Sequence, residues 1–480
     1  TSHSEIFQSA AKSGLFMPFK VVHADFERPC HVHFIGIGGI SMSGLAEILL
    51  ERGFTVSGSD ARESELTKKL EAHGAKLFYG QKAENIMEGT DVVVYTAAVH
   101  PDNPEYAAAA GRSIPILTRA ELLGQIMRNY NQSVAVAGTH GKTTTTSMLT
   151  EILMEARKDP TISVGGMLDA IGGNIRVGGP EMFVTEACEY TNSFLSFFPT
   201  MEIILNIEAD HLDFFKDIDD IRNSFRRFAG LLPEDGILII NSDIREYEEI
   251  CKGLPCRVIT VGSDPVRSRY SAAHVAFDES ACASYELLEN GKKVCTVVLG
   301  VPGMHNVYNS LAAFAAAREL GVDDGDICAG LLAYRGTHRR FEKKGVLNGV
   351  TIIDDYAHHP QEIAATLSTA ENYPHRELWC VFQPHTYTRT RALMDDFAEA
   401  LSAADHVVLA DIYAARETDT LGISSSMLAE KIASLGTDAW YFPSFSEIEE
   451  FLLEKCGSGD LLITMGAGDI VKVGENLLKK

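Results

Sequence analysis

The chain has 480 residues, of which 45% are hydrophobic and 22% are charged, a composition typical of globular domains. At about 150 residues per domain, this length predicts about three domains. The formal net charge of -24 argues against a broad surface for nucleic acid or for an anionic membrane. Nine scattered cysteines and the lack of an apolar run of membrane-spanning length indicate a soluble, cytoplasmic protein with reduced thiols.

The first predicted elements alternate strands with helices. Residues 31–35 form a short apolar strand, residues 36–44 are rich in glycine, and an amphipathic helix follows. Strands at 54–56 and 91–95 continue the alternation, and Asp60 lies where an acidic residue would meet a ribose hydroxyl. The pattern predicts a Rossmann-like domain. Its glycines either bind a diphosphate at the helix N-terminus or only allow close packing of helix on strand.

A phosphate-binding loop is predicted after a linking helix at residues 121–132. The apolar strand 134–137 leads into Gly138-Thr139-His140-Gly141-Lys142-Thr143-Thr144-Thr145, which opens a helix. The N–H groups of such a turn and the positive end of the helix dipole attract phosphate. Lys142 is expected to reach the terminal phosphates, and Thr143 is expected to hold Mg²⁺. Val136 replaces the first glycine of the standard loop, so the turn is shorter; the alternative is a hydroxyl-rich helix start.

Two further strands end in groups that can bind a metal. The stretch 165–179 is rich in glycine and forms either a mobile substrate loop or a turn-rich surface connection. The strand at 182–185 then leads to Glu186, and the strand at 203–207 leads to Glu208, Asp210 and His211. Ligands of open α/β sheets bind beyond the carboxyl ends of the strands, so these groups should face the same crevice as Lys142. Glu186 suits Mg²⁺, whereas His211 is either a metal ligand or a structural hydrogen-bonding group.

The second half of the chain supplies three more polar segments. Residues 303–309 open an alanine-rich helix whose asparagines either pair with adenine or cap the helix. Residues 334–342 contain three arginines, suited to phosphate or to a solvated charge cluster. From about residue 346, short apolar strands alternate with amphipathic helices, and the strands before 354–360 and 383–390 end in histidine, aspartate and arginine. These strand ends are predicted to form part of a site.

Taken in order, these segments resemble the Mur ligases, ATP-dependent amide-forming enzymes of peptidoglycan precursor synthesis. The resemblance rests on residues 36–44, 138–145, 206–211, 305–309, 339–341, 354–360, 382–390 and 466–470. It implies an α/β fold with a Rossmann-like N-terminal domain that binds UDP, a central ATPase domain with a mostly parallel sheet, and a Rossmann-like C-terminal domain that brings the amino acid. The expected bounds are 30–130, 131–342 and 343–480, after an N-terminal extension of residues 1–29.

Within the family, the chain is most similar to members that attach L-alanine to UDP-N-acetylmuramate. The resemblance implies that ATP phosphorylates the lactyl carboxylate and that the amine of L-alanine displaces the phosphate. The implied partners are UDP-N-acetylmuramate, L-alanine and ATP, with Mg²⁺ as cofactor and Mn²⁺ as its expected substitute. Neither nucleic-acid binding nor membrane insertion is expected, and the chain is expected to be a monomer or a homodimer.

The resemblance also implies a set of site residues. The implied catalytic residues are Lys142, His211, Arg340, His358 and Arg389. The implied nucleotide-binding residues are Gly138, Thr139, His140, Gly141, Lys142, Thr143, Thr144, His305, Asn306, Asn309, Arg340 and Asp355. The implied substrate-binding residues are Gly36, Gly38, Gly39, Ser41, Ser59, Asp60, Thr96, Tyr356, His358, His385 and Arg389. The implied metal ligands are Thr143, Glu186 and His211. Among the departures from the family pattern, Ser41 replaces a common glycine, Thr386 replaces a common arginine, and Cys188 replaces a common aspartate after Glu186. A fourth departure is that Lys216 lies too close to His211 for the carbamylated lysine of sister ligases.

Three alternatives make different use of the same motifs. A recycling ligase that attaches a tripeptide to UDP-N-acetylmuramate shares the ATP loop, but residues 190–196 lack its Asp-Lys-Arg segment. A nicotinamide-dependent oxidoreductase would use the N-terminal glycines but would have no use for Lys142 and Thr143. A regulatory switch that binds a nucleoside triphosphate would not need the charged strand ends of the third domain.

Overall fold

The computed structural model describes residues 23–480, which divide into two compact units at Asn129 and Tyr130. Most of the predicted N-terminal extension, residues 1–22, lies outside the described residues. Within residues 23–480, no helix is both long and apolar enough to span a membrane.

The first unit contains a five-stranded sheet in which every strand is parallel to its neighbours, in the order β3-β2-β1-β4-β5. Its elements are β1 His31–Ile35, α1 Ile40–Glu51, β2 Thr55–Asp60, α2 Glu65–Ala72, β3 Lys76–Tyr79, β4 Val92–Tyr95, α3 Pro104–Gly111, β5 Ile116–Thr118 and α4 Arg119–Met127. The predicted strand at 31–35 coincides with β1, and the strand order reverses between β1 and β4, where Rossmann-like sheets bind ligands.

The predicted linking helix at residues 121–132 is wrong in its bounds. Helix α4 begins earlier, because Thr118 and Glu121 form a capping box in which each side chain accepts a backbone N–H of the other residue. The helix ends at Met127, and Gln132 already belongs to the next strand.

The second unit begins with a ten-stranded, mostly parallel sheet in the order β15-β14-β13-β12-β11-β10-β6-β9-β7-β8. Its elements are β6 Gln132–Ala137, α5 Lys142–Glu155, β7 Thr161–Leu168, β8 Gly173–Arg176, β9 Met182–Ala187, β10 Met201–Ile204, α6 Ile218–Ala229, β11 Ile237–Asn241, α7 Tyr247–Cys251, β12 Arg257–Val261, β13 Tyr270–Phe277, β14 Cys282–Glu289, β15 Lys292–Pro302, α8 Met304–Glu319 and α9 Asp324–Ala333. Strand β6 lies between β10 and β9, so the loops after all three strands open at the same edge.

The glycine-rich stretch at 165–179 is largely an antiparallel hairpin of β7 and β8, not the predicted loop. Close packing explains two of its glycines, Gly165 and Gly166. A Cβ atom at Gly165 would lie 2.9 Å from a carboxylate oxygen of Glu186, and one at Gly166 would lie 2.6 Å from the Thr337 side chain. The glycines therefore bring the hairpin backbone against the end of β9.

The C-terminal part of the second unit forms a six-stranded sheet in the order β16-β17-β21-β18-β19-β20, parallel except for β16. Its elements are β16 Glu342–Leu347, β17 Val350–Asp355, α10 Pro360–Glu371, β18 Leu378–Phe382, α11 Tyr387–Ala392, α12 Met394–Leu401, β19 His406–Leu409, α13 Ser425–Ser434, β20 Asp438–Tyr441, α14 Phe445–Lys455, β21 Leu461–Met465 and α15 Val471–Leu477. The predicted alternation of strands and helices is confirmed.

Helix α8 supplies most of one face of the central core. Its alanines are buried and pack with the apolar side chains of β6, β10 and α5. Helix α9 approaches α5 so closely that a Cβ atom at Gly330 would lie 2.4 Å from the Cα atom of Ile152. Small residues therefore set the spacing between these helices.

Candidate active site

The predicted phosphate loop joins β6 to α5. Gly138 has a φ of +149° and Gly141 has a φ of +84°, in the region that favours glycine. Gly141 is the N-cap of α5 and no side chain caps this helix, which leaves its first N–H groups available for an anion. A Cβ atom at Gly141 would lie 2.7 Å from Oδ1 of Asn309 on α8, so the loop packs directly against the residues predicted for adenine.

The loop after β10 holds the phosphate loop in shape. The Asn206 side chain accepts the His140 N–H at 2.8 Å and donates to the His140 carbonyl at 3.0 Å. Thr139 Oγ1 accepts the Glu208 N–H at 2.9 Å, and the Glu208 carboxylate is hydrogen-bonded to Nε2 of His140. The backbone geometry that would receive phosphate is therefore fixed by side chains of a neighbouring strand end.

Lys142 points into the loop that it follows. Its ammonium donates to the Gly138 carbonyl at 2.5 Å and the Thr139 carbonyl at 3.2 Å, and it lies 3.4 Å from Oε2 of Glu189. Burial by itself would lower the pKa of Lys142, but attraction to Glu189 and other nearby groups outweighs burial and raises the pKa. The side chain is therefore a permanently charged cation at the phosphate position.

Oxygen donors suited to Mg²⁺ lie beside this lysine. Glu186 ends β9 and accepts the Gly165 N–H at 2.6 Å, and the mostly buried Thr143 packs near the same glycine pair. A carboxylate and a hydroxyl are hard ligands, so this donor set fits Mg²⁺. His211 lies on the other side of Glu189, 3.7 Å from its Oε1 atom. Burial is the main cause that lowers the pKa of His211, which favours the neutral, ligand-competent imidazole.

A pocket lies between the phosphate loop, α8 and the start of α10. Its lining includes Asn241, Val261, His305, Asn306, Tyr308, Asn309, Arg340, Asp355 and Glu362. Asn309 donates to Oδ1 of Asn306 at 3.0 Å, and Asn306 donates to the Pro302 carbonyl at 2.8 Å, so both amides have fixed orientations. Burial lowers the pKa of His305 to about 4, which keeps this ring neutral. Eight of the twelve predicted nucleotide residues therefore line one cavity, whereas Gly138, Thr139, Lys142 and Thr143 are not part of its lining.

Arg340 and Asp355 line this pocket from the C-terminal part. Arg340 lies 3.7 Å from Glu362 and over the ring of Tyr356, at 5.2 Å from its centroid. Asp355 accepts the N–H groups of Phe341 and Ala357, each at 2.8 Å, and burial raises its pKa to about 6. Asp355 therefore fixes the turn next to Arg340.

A second pocket is lined by Tyr190, Asp210, His211, His385, Thr386, Arg389 and Glu417. Arg389 lies 3.2 Å from Oδ1 of Asp210 and 3.3 Å from Nδ1 of His385. Burial alone would raise the pKa of Asp210, but Arg389, the nearby histidines and the N–H of His211 together outweigh burial and lower the pKa, so Asp210 is a carboxylate beside the guanidinium. Burial lowers the pKa of His385 to about 4. The pocket thus combines a fixed guanidinium with a neutral imidazole.

His358 stands next to this pocket, with its ring centroid 5.9 Å from that of His385. Its Nδ1 atom lies 3.0 Å from the Tyr356 carbonyl, which can only accept, so Nδ1 carries the proton. Burial is the largest of the causes that lower the pKa of His358. The ring is therefore neutral, with a lone pair at Nε2.

The predicted UDP-binding residues lie together in the first unit. Gly36 has a φ of +86°, and a Cβ atom at this position would lie 4.0 Å from the side chain of Thr96, which follows β4. The Gly38 N–H donates to the Asp60 carboxylate at 2.8 Å, so this carboxylate fixes the glycine loop. Ser59 is buried and donates to Glu105 at 2.6 Å. Gly39 is the uncapped N-cap of α1, and Ser41 is exposed in the first turn of that helix. Ser41 and the glycine loop therefore lie at the uncapped N-terminus of α1, beyond the end of strand β1.

Three carboxylates have structural roles that sequence reasoning missed. Glu189 lies between Lys142 and His211, Asp210 holds Arg389, and Glu362 accepts the N–H of His359 at 3.2 Å. Burial raises the pKa of Glu362, but nearby histidines and Arg340 outweigh burial and lower it to about 2. A signal existed for Glu362, since His359 and Glu362 have the spacing of a capping box before a helix.

Three protein-family profiles match successive regions of the chain. They are described as Mur ligase family, catalytic domain, at residues 31–131; Mur ligase middle domain, at residues 136–317; and Mur ligase, glutamate ligase domain, at residues 339–468. Together these regions cover most of the sequence. The chain belongs to the Mur ligase family, and the family and fold class predicted from the sequence are both confirmed.

Comparison with individual proteins shows which members of the family this chain is similar to. The UDP-N-acetylmuramate–L-alanine ligase of Lachnospira eligens is 64% identical over 455 residues, which cover 95% of this chain and 99% of that protein. The crystal structure of UDP-N-acetylmuramate-alanine ligase from Thermotoga maritima has a TM-score of 0.76 at 31% identity, covering 94% of this chain and 98% of that one. A murein peptide ligase from Psychrobacter arcticus has a TM-score of 0.66 at 26% identity, with the same coverages.

Proposed function

We propose that this chain joins L-alanine to the lactyl carboxylate of UDP-N-acetylmuramate, with ATP converted to ADP and phosphate through an acyl phosphate. The observation that carries the proposal is that two pockets border the same loop, the one that follows strand β10 of the central sheet, through Asn206 in one pocket and Asp210 and His211 in the other. One pocket joins the phosphate loop to Asn306 and Asn309, and the other presents Arg389 and His385. The whole-length identity to ligases named for this reaction supports the same substrates.

The first step brings two anions together, the γ-phosphate and the carboxylate, so cations must offset their repulsion. Lys142 is a largely buried side chain whose pKa is raised, and Arg340 lines the pocket next to the same loop. When ATP binds, the ammonium of Lys142 exchanges its loop carbonyls for phosphate oxygens. Thr143 and Glu186 would hold one Mg²⁺ and His211 a second beside the acyl phosphate, and these ions would supply further positive charge to the phosphate oxygens; Mn²⁺ is expected to substitute.

The second step needs an uncharged amine, because the ammonium form of L-alanine has no lone pair. Nε2 of the neutral His358 can take the proton, while Nδ1–H remains on the Tyr356 carbonyl. Arg389 and His385 would bind the carboxylate of L-alanine, with Asp210 holding the guanidinium in place. The amine then forms the C–N bond, phosphate leaves with the electron pair of the acyl C–O bond, and the second proton of the amine leaves on the phosphate as HPO4²⁻.

The remaining assignments follow from the same proposal. The first unit would bind the UDP part through Gly36, Gly38, Gly39, Ser41, Ser59, Asp60 and Thr96, and Tyr356 would contact the acyl part. We place the domains at 30–130, 131–342 and 343–480, with residues 1–29 as an extension; the matched family regions support these bounds. A cytoplasmic location and a monomer or homodimer complete the proposal.

The test is phosphate release from ATP with UDP-N-acetylmuramate, supplied in turn with L-alanine, glycine, L-serine and a tripeptide. We expect release to require an amino acid and to be fastest with L-alanine. Release without an acceptor, or only with the tripeptide, contradicts the proposal. Lys142→Ala should abolish turnover while UDP-N-acetylmuramate still binds, whereas Lys252→Ala, an exposed lysine in the same unit, should leave turnover unchanged.

A further inference from the structure

Three side chains that can bind a metal meet at the junction of the phosphate loop and the C-terminal part. His140 comes from the phosphate loop, Glu208 from the loop after β10, and His359 from the start of α10. One ligand atom of each lies within 4.8 Å of the other two, and the two imidazole centroids are 5.4 Å apart. We propose that His140, Glu208 and His359 form a site for a divalent transition metal ion such as Zn²⁺, separate from the Mg²⁺ site.

The donor set determines which ion this site would take. Two imidazole nitrogens and one carboxylate oxygen suit Zn²⁺ or Co²⁺, whereas Mg²⁺ prefers oxygen ligands and keeps several waters. His359 is 4% exposed, while His140 and Glu208 are partly exposed, so water can supply the fourth ligand. Glu362 contributes negative charge near His140, and Lys142 contributes positive charge near the same ring. The cluster therefore differs in chemistry from Thr143 and Glu186.

Hydrogen bonds do not fully account for these side chains. His140 is bonded to Glu208 through Nε2, but its Nδ1 atom is buried and has no hydrogen-bond partner in the described residues. His359 lies 2.7 Å from the Ala209 carbonyl through Nε2, and its Nδ1 accepts the Gln361 N–H at 3.4 Å, a long and weak bond. An ion shared by His140 and Glu208 would replace the proton between Nε2 of His140 and the Glu208 carboxylate.

Metal binding at this position would have a functional consequence beyond the proposed reaction. The three ligands belong to the phosphate loop, the loop that clasps it, and the N-cap of α10. An ion bound by all three cross-links the nucleotide-binding loop to the C-terminal part of the unit. Because His140 lines the predicted nucleotide pocket, we expect Zn²⁺ to slow turnover by restraining this loop.

The experiment titrates the full-length, ATP-free protein with Co²⁺ and follows the visible d–d absorption of the bound ion, then displaces Co²⁺ with Zn²⁺. We expect one strongly absorbing Co²⁺ per chain. His359→Asn and Glu208→Gln should each weaken binding by about 10-fold or more. His375→Asn is the matched control, because it removes a histidine whose Nδ1 atom lies 2.6 Å from the Tyr373 carbonyl and that is not part of the cluster, and it should leave the band unchanged.

Glu186→Gln distinguishes this site from the proposed Mg²⁺ site, and it should also leave the band unchanged. The proposal is overturned if no such band forms, if His359→Asn and Glu208→Gln both retain wild-type affinity, or if Glu186→Gln removes the band. Circular dichroism without metal verifies that each variant is folded. Since the readout is metal binding without nucleotide, its failure would leave the proposed ligase activity intact.

Discussion

Glu202 has an ionisable side chain that is buried without a hydrogen-bond partner among the described residues. Its replacement by an apolar residue should therefore stabilise the protein. It lies in β10, between Ala135 of β6 and Leu238 of β11. The side chain is fully buried, and neither carboxylate oxygen has a hydrogen-bond partner in residues 23–480. Burial raises its pKa well above the ordinary value of 4.5.

The sign and size of the effect follow from proton binding. The contribution of Glu202 to stability is complete below pH 4.5, where folded and unfolded chains both hold the proton. Above pH 4.5 the unfolded chain loses the proton first, so stability falls by about 1.4 kcal/mol per pH unit until the folded-state pKa is reached. The unsatisfied polar group costs about 1–3 kcal/mol more, which Glu202→Met should recover.

Thermal unfolding measured between pH 4 and pH 8 tests this reasoning. Glu202→Met should raise the midpoint at neutral pH, by about 2–4 °C for each kcal/mol gained in a domain of this size. Glu202→Gln is the matched control for charge, since it stays polar but cannot ionise. It should remove the pH dependence contributed by this site without the full gain of the methionine variant.

The opposite pattern would refute the reasoning. If Glu202→Met lowers the midpoint at neutral pH, the carboxylate is paired and its burial is compensated. If both variants keep the wild-type slope between pH 4 and pH 8, Glu202 does not carry the proton difference.

Two further predictions concern packing and substrate binding. Gly330→Ala should cost about 1–3 kcal/mol in the free energy of unfolding, because the new Cβ atom meets the backbone of Ile152. Gly325→Ala in the same helix has open space and should be neutral or slightly stabilising, so equal effects in urea unfolding would contradict the packing argument. Asp210→Asn should raise the KM for L-alanine about 10-fold, equivalent to about 1.4 kcal/mol, with the KM for ATP unchanged, since Arg389 loses the carboxylate that holds it. A similar rise in both KM values would argue against this role.

Local patterns in the sequence were sufficient to predict most of the fold. An apolar run predicted β1 at its observed bounds, because buried parallel strands are encoded as short apolar segments. The hairpin β7–β8 was missed, since glycine normally signals a turn. Here the glycines instead allow the backbone to approach Glu186 and Thr337, and that requirement arises only in the folded chain.

The parts of the candidate site that consist of short continuous segments were predictable from the sequence. The phosphate loop and the strand ends at Glu186 and His211 could be identified because one sheet edge collects them. The pairing of Arg389 with Asp210 joins residues 179 positions apart, and no local pattern specifies it. Likewise, a pKa displaced by burial depends on packing that a single sequence does not reveal.

The contact between Gly141 and Asn309 limits how this protein can change through evolution. A side chain at position 141 would have to adopt a left-handed backbone conformation and displace the amide on α8 in the same event. A side chain at position 141 would therefore disturb both the loop after β6 and the start of α8, which line one pocket. A change at position 141 is expected to need a smaller side chain at position 309, so the loop and the helix would be altered together.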